Sequence, residues 1–129
     1  MKTIIAGSRY IADYSLIASA IEESGIRPTL VISGTAAGVD TLGERWAEEN
    51  GIPVERFPAD WAKYGKSAGY QRNLLMAEKA EALIAVWDGQ SRGTKHMIDI
   101  ARRAGLQVHV LHVEPACQPA NTQASSFPF

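Results

Sequence analysis

Only one cysteine, Cys117, stands in the 129 residues, so no disulfide can form within the chain. Stability has to come from packing, and a reducing compartment suits such a sequence. An excess of one charge is missing as well. Lysine and arginine total 13 against 14 acidic residues, a formal net charge of -1. A balance this even gives no field that would draw the whole molecule onto nucleic acid or an anionic membrane, but it leaves room for a local basic pocket. Long apolar runs are absent too. The first run, Thr3-Ile4-Ile5-Ala6, is too short for the core of a secretory leader and far too short to cross a bilayer, and no later run is long enough. There is no internal repeat. The expectation is one soluble, cytoplasmic domain without membrane contact.

What is present is an alternation. Short β-branched runs occur at Thr3–Ala6, Leu30–Ser33, Val54–Phe57, Leu83–Trp87 and Val108–Val113. Between them lie stretches with helical spacing, such as Leu16, Ile17, Ala20 and Ile21, or Leu42, Trp46 and Ala47. Continuous apolar strands separated by helices mark a parallel sheet buried on both faces. Right-handed crossovers then place helices on both sides. The predicted fold is a Rossmann-like three-layer α/β/α domain with a mainly parallel sheet of about five strands. Helix ends are marked by Gly25, by Asn50-Gly51 before Pro53, and by Gly105. The third long helix is expected over Ser67–Lys79. Thr41-Leu42-Gly43-Glu44 has the form of a capping box, and Asp40 is an equally good N-cap. From Glu114 onward periodicity is lost in Pro, Ser, Gln, Asn and Ala, which divides the chain into a domain over 1–113 and a flexible tail or docking arm over 114–129.

In an open parallel sheet, ligands sit beyond the carboxyl ends of the strands. Three loops fall there. They are Gly7-Ser8-Arg9, Ser33-Gly34-Thr35-Ala36-Ala37-Gly38-Val39-Asp40 and Asp88-Gly89-Gln90-Ser91-Arg92-Gly93-Thr94. Small residues let backbone N–H groups approach an anion, and a helix N-terminus adds partial positive charge. A phosphate cradle is the expectation. Ser91, Arg92, Gly93 and Thr94 are its strongest part; a plain capped turn is the other reading. Arg9 fits a planar clamp on phosphate, or a solvated surface arginine. Gly34 and Gly38 serve backbone geometry first and ligand approach second, and Gly7, Ser8 and Ser33 join them as expected ligand-binding loop residues. Asp40 suits ribose hydroxyls and a helix cap about equally. Trp61, Tyr64, Tyr70 and Trp87 flank the loops, as base-stacking surfaces or, more commonly, as core or interface. His96, His109 and His112 show no metal-ligand spacing, and His96 has no evident partner. No metal or other cofactor is expected, and no catalytic residue can be assigned.

Gly7-Ser8-Arg9, Val31 to Asp40, Arg72-Asn73 and Ser91-Arg92-Gly93-Thr94, in this order and spacing, resemble the SLOG superfamily, which includes DprA and the Lonely Guy phosphoribohydrolases. The nearest likeness is to its small single-domain branch of bacteria and phages, and it runs to about Val113. The resemblance implies a Rossmann-like fold, a nucleotide-derived ligand and frequent homo-oligomers. It also implies that Arg72, with Asn73 beside it, points into the site. Spacing alone leaves Arg72 an exposed helical arginine.

Two departures matter. Lonely Guy enzymes carry a Glu three positions after the Gly-Thr pair, and here that position is Met97. Methionine can neither stabilise a cation-like sugar nor activate water. DprA-like proteins hold single-stranded DNA on a basic surface that this composition does not supply. The expected function is therefore the binding or sensing of a nucleotide or a nucleotide-derived phosphate ligand such as an ADP-ribose-like signal. Hydrolysis of an N-glycosidic bond by a relocated carboxylate (Asp40, Asp88 or Asp99) comes second, and binding of single-stranded DNA third.

Overall fold

A computed structural model describes residues 1–114; the tail expected over 114–129 lies, but for Glu114, outside the described residues. Five strands form the sheet: β1 (Lys2–Gly7), β2 (Leu30–Ser33), β3 (Val54–Arg56), β4 (Ala82–Trp87) and β5 (Gln107–His112). All pairs are parallel and the order is β3-β2-β1-β4-β5. The helices are α1 (Tyr14–Ser24), α2 (Val39–Glu49), α3 (Trp61–Tyr64), α4 (Ala68–Lys79) and α5 (Arg92–Arg103), with a 3-10 turn at Gly65–Ser67. The fold is a Rossmann-like α/β sandwich. None of the helices among the described residues is long and apolar enough to cross a membrane.

Strand residues alternate between two cores. Ile5, Val31, Ile84 and Val86 face α1 and α2, where Ile17, Ala20, Ile21, Val39 and Ala47 meet them. Ile4, Ile32, Leu83 and Ala85 face α4 and α5, against Met76, Ala77, Met97, Ile98 and Ala101. The central strands β1 and β4 are buried on both faces, which is why they read as unbroken apolar runs.

Three local readings need correction. No capping box forms at α2, and Asp40 does not cap it. Gly38 takes the N-cap position at φ 75 without a side-chain bond, so Asp40 falls inside the first turn. Thr41 instead donates its hydroxyl to the Ala36 carbonyl at 3.0 Å. The stretch before α4 holds an extra short helix, α3, whose N-cap Asp60 accepts from the Lys63 amide at 3.0 Å. It buries nothing, so no apolar periodicity announced it.

Hydrogen bonds stitch the carboxyl ends of β1 and β4. The Ser8 amide donates to the Val86 carbonyl at 3.1 Å, and the Asp88 amide donates to Ser8 Oγ at 3.1 Å. Gly7 sits in this seam with no space to spare. A Cβ there would run into the Val86 carbonyl oxygen and come within 2.7 Å of Val39 Cγ2. Gly7→Ala is therefore expected to cost roughly 1–3 kcal/mol, the usual penalty for forcing an atom into packed structure. Urea denaturation would read this as a lowered midpoint at unchanged slope.

Candidate functional site

A cavity of about 120 Å³ opens where strand order reverses, beyond the ends of β1 and β4. Ala6, Met76 and Met97 form its apolar base. Gly7 and Arg9 from β1 and the following loop, Ala36 and Asp40 from the α2 approach, Arg72 and Asn73 from α4, and Ser91, Gly93 and Thr94 from the start of α5 complete the lining. Segments far apart in sequence thus meet round one hollow.

Arg72 reaches it from the middle of α4. Its Nη1 donates to the Gly34 carbonyl and its Nε donates to Asn73 Oδ1 at 3.1 Å. Burial lowers its pKa, the nearby Asp40 charge raises it and the Arg9 charge lowers it. A guanidinium remains charged in any such setting. Arg9 is exposed on the rim and takes part in none of the ion pairs among the described residues. Two like charges face one hollow, an arrangement that an anion between them would relieve.

Asp40 is the counterweight. Only 5% exposed, it accepts the Ala36 amide on Oδ2 at 3.3 Å, and the Gly7 amide lies near enough to favour its charged form. Burial pushes its pKa from 3.8 up to about 6, against the lowering effects of those amides and of Arg72. Gly34 is wedged between the pair. A Cβ on it would come within 2.8 Å of both Arg72 Nη1 and Asp40 Oδ2.

The first turn of α5 closes the cavity. Ser91 makes no side-chain cap bond, so the early amides of the helix have no side-chain partner at that position. The Ser91 and Thr94 hydroxyls pair at 3.1 Å. Asp88 Oδ1 holds the turn by accepting from the Gln90 and Ser91 amides at 2.8 and 2.9 Å. A Cβ on Gly93 would meet nothing within 4 Å, so packing within the chain does not demand glycine there.

Other candidate residues stand outside the lining. Ser8 is buried in the β1–β4 seam. Ser33 donates to Glu44 Oε2 at 2.6 Å and accepts from the Thr35 amide at 3.1 Å. Gly38 packs on the Ser8–Arg9 backbone, and Gly34 contributes its carbonyl to Arg72. Arg92 is exposed at the start of α5 and is not among the lining residues. Trp61, Tyr64 and Tyr70 are exposed, while Trp87 donates its Nε1 hydrogen to the Ser91 carbonyl at 3.0 Å. His96 does have partners: Asn73 Nδ2 lies 3.1 Å from its Nδ1, and the Tyr70 ring centroid is 4.4 Å from its own. Ala6, Ala36 and Met76 carry no sequence signal of lining, because apolar residues do not show whether they face a cavity or a core, whereas Met97 stands at the position of the Lonely Guy Glu.

A parallel sheet in this order, with a hollow at its switch point lined in part by glycines and arginines, is the form of a Rossmann-like α/β protein. Within that class the chain belongs to the YspA, cpYpsA-related SLOG family, whose model matches residues 1–64. It is 33% identical over 116 residues to the Gene 61 protein of Mycobacterium phage D29, covering 83% of this chain and 93% of that protein. Among solved structures it resembles DNA processing protein A (DprA) from Streptococcus pneumoniae, with TM-score 0.70 and 17% identity over 90% of this chain and 52% of that one. The chain thus spans about half the length of DprA, and at that identity the likeness is one of fold.

Proposed function

We infer that the cavity binds the phosphate of a nucleotide or a nucleotide-derived ligand, an ADP-ribose-like signal among the candidates. The observation that carries this is the meeting of Arg9, Arg72 and the first turn of α5 on one hollow. In this reading the two guanidinium groups neutralise phosphate and the Gly93 and Thr94 amides orient it. Asp40 accepts from ribose hydroxyls, which gives its buried oxygens partners that phosphate cannot supply. The exposed Leu74 and Leu75 of α4 support a homo-oligomer, and the single cysteine supports a cytoplasmic setting.

A second reading has its own support. Asp40 is a carboxylate inside the cavity with a pKa near neutrality, the property a general acid or base needs. Hydrolysis of an N-glycosidic bond would use it in place of the carboxylate that Met97 cannot provide. Single-stranded DNA gains no support from the near-neutral net charge.

Incubation with a panel of nucleoside monophosphates and dinucleotides separates these readings. Thermal stabilisation without free base is the expected result, since a ligand held only by the native state raises apparent stability. Free base in the supernatant, lost in Asp40→Ala, would transfer the assignment to the hydrolase. No stabilisation by any nucleotide at millimolar concentration would end the binding proposal.

A further inference from the structure

The amide of Asn73 has one oxygen and two hydrogens, and each finds a partner. Its Oδ1 accepts from Arg72 Nε at 3.1 Å. Its Nδ2 donates to the Gly93 carbonyl at 3.3 Å and meets His96 Nδ1 at 3.1 Å. Two of these partners have fixed chemistry. A guanidinium N–H only donates, and a carbonyl oxygen only accepts. Turning the amide over would set N–H against N–H at Arg72 and oxygen against oxygen at Gly93. The orientation is thereby determined, and it directs an N–H at His96. The imidazole must accept on Nδ1 and carry its proton on Nε2.

We propose that His96 is a positioning residue for Arg72: its unprotonated Nδ1 orders the Asn73 amide, whose oxygen holds the guanidinium at the anion cavity. The proposal rests on the phosphate-binding reading for its functional consequence, but not for its geometry. His96 itself is absent from the lining. It lies half-buried against Tyr70, with Asp99 and Arg103 as the charged groups of α5 that bear on it. Burial lowers its pKa, Asp99 raises it and Arg103 lowers it, and the net lowering keeps the ring neutral at pH 7. The relay explains why an amide sits on α4 between a cation and a helix start. A hydrophobic residue there would leave the Gly93 carbonyl and Arg72 Nε without these partners.

Two substitutions divide positioning from packing. His96→Asn keeps an acceptor oxygen close to where Nδ1 lies, whereas His96→Leu fills similar space with none. In the ligand-free full chain, nitrogen NMR is expected to report the Nε2–H tautomer for His96. The Arg72 Nε–H resonance should be alike in the wild type and His96→Asn, and shifted with faster exchange in His96→Leu. Calorimetric titration with adenosine monophosphate at pH 7.5 should show binding roughly fivefold weaker in His96→Leu, the worth of one net hydrogen bond, and about equal to wild type in His96→Asn. An Nδ1–H tautomer, or an unchanged Arg72 resonance in His96→Leu, would overturn the proposal. Wild type that fails to bind adenosine monophosphate would count against the functional reading alone, and the resonances would still decide the role of His96.

Discussion

Arg72→Ala is expected to weaken binding of adenosine monophosphate by about 30- to 100-fold, equivalent to roughly 2–3 kcal/mol, as for loss of a partly desolvated cation from an anion site. Arg72 is half-buried, lines the cavity and shares it with Arg9. Its Nη1 and Nε already serve Gly34 and Asn73, so the guanidinium arrives in place and little side-chain freedom remains to be lost on binding. The same bonds set the cost to the fold. Removing Arg72 leaves the Gly34 carbonyl and Asn73 Oδ1 without that donor, a loss of about 1 kcal/mol that water can partly offset. Arg9→Ala should cost less affinity, because Arg9 is exposed and its charge is screened. Isothermal titration measures the first effect and urea unfolding the second. Undiminished affinity in Arg72→Ala would remove this residue from the site.

A larger effect on stability is expected at Asp40. Its pKa rises from 3.8 to about 6 in the native state, so the folded chain holds that proton more tightly than the unfolded one. Below pH 4 both states are protonated and the group is neutral in its effect. Between pH 4 and 6 the native form alone keeps the proton, and stability falls as pH rises. Above about pH 6 the full cost is present, about 3 kcal/mol for a shift of this size. Asp40→Asn cannot ionise. At pH 7 it should be more stable than the wild type by up to about 3 kcal/mol, with the gain shrinking toward zero near pH 4. Glu49 and Asp88 have lowered pKa values and weaken the native state as pH falls. The difference between wild type and variant cancels them. Urea midpoints for both proteins across pH 4 to 7.5 are the measurement, and a difference independent of pH would refute the buried-carboxylate picture. The ribose contact proposed for Asp40 would account for an ionisable group kept at such a cost.

Much of this was legible in the residues, for a physical reason. Strands buried on both faces must be apolar throughout, so β1, β2 and β4 stand out. Loops that bring backbone close together need glycine, so Gly7 and Gly38 marked the turns that shape the cavity mouth. What escaped depends on contacts between distant segments. Asp40 lies in the first turn of α2 because Gly38, at φ 75, packs on the backbone of Ser8 and Arg9. Nothing within the loop itself fixes that start. His96 seemed unpartnered because its partner, Asn73, lies on another helix. Spacing alone makes Arg72 any helical arginine; the resemblance marked it for the site, and the structure sets it on the cavity lining beside Gly34 and Asp40.

The cavity lies beyond the ends of the central strands rather than on either face of the sheet. Asp40 belongs to the layer of α1 and α2, and Arg72, Asn73 and Thr94 belong to that of α4 and α5. Elsewhere these layers touch the same strands from opposite sides. A guest seated in the proposed site would touch both layers of the sandwich at once, bridging helices that otherwise meet only through the sheet.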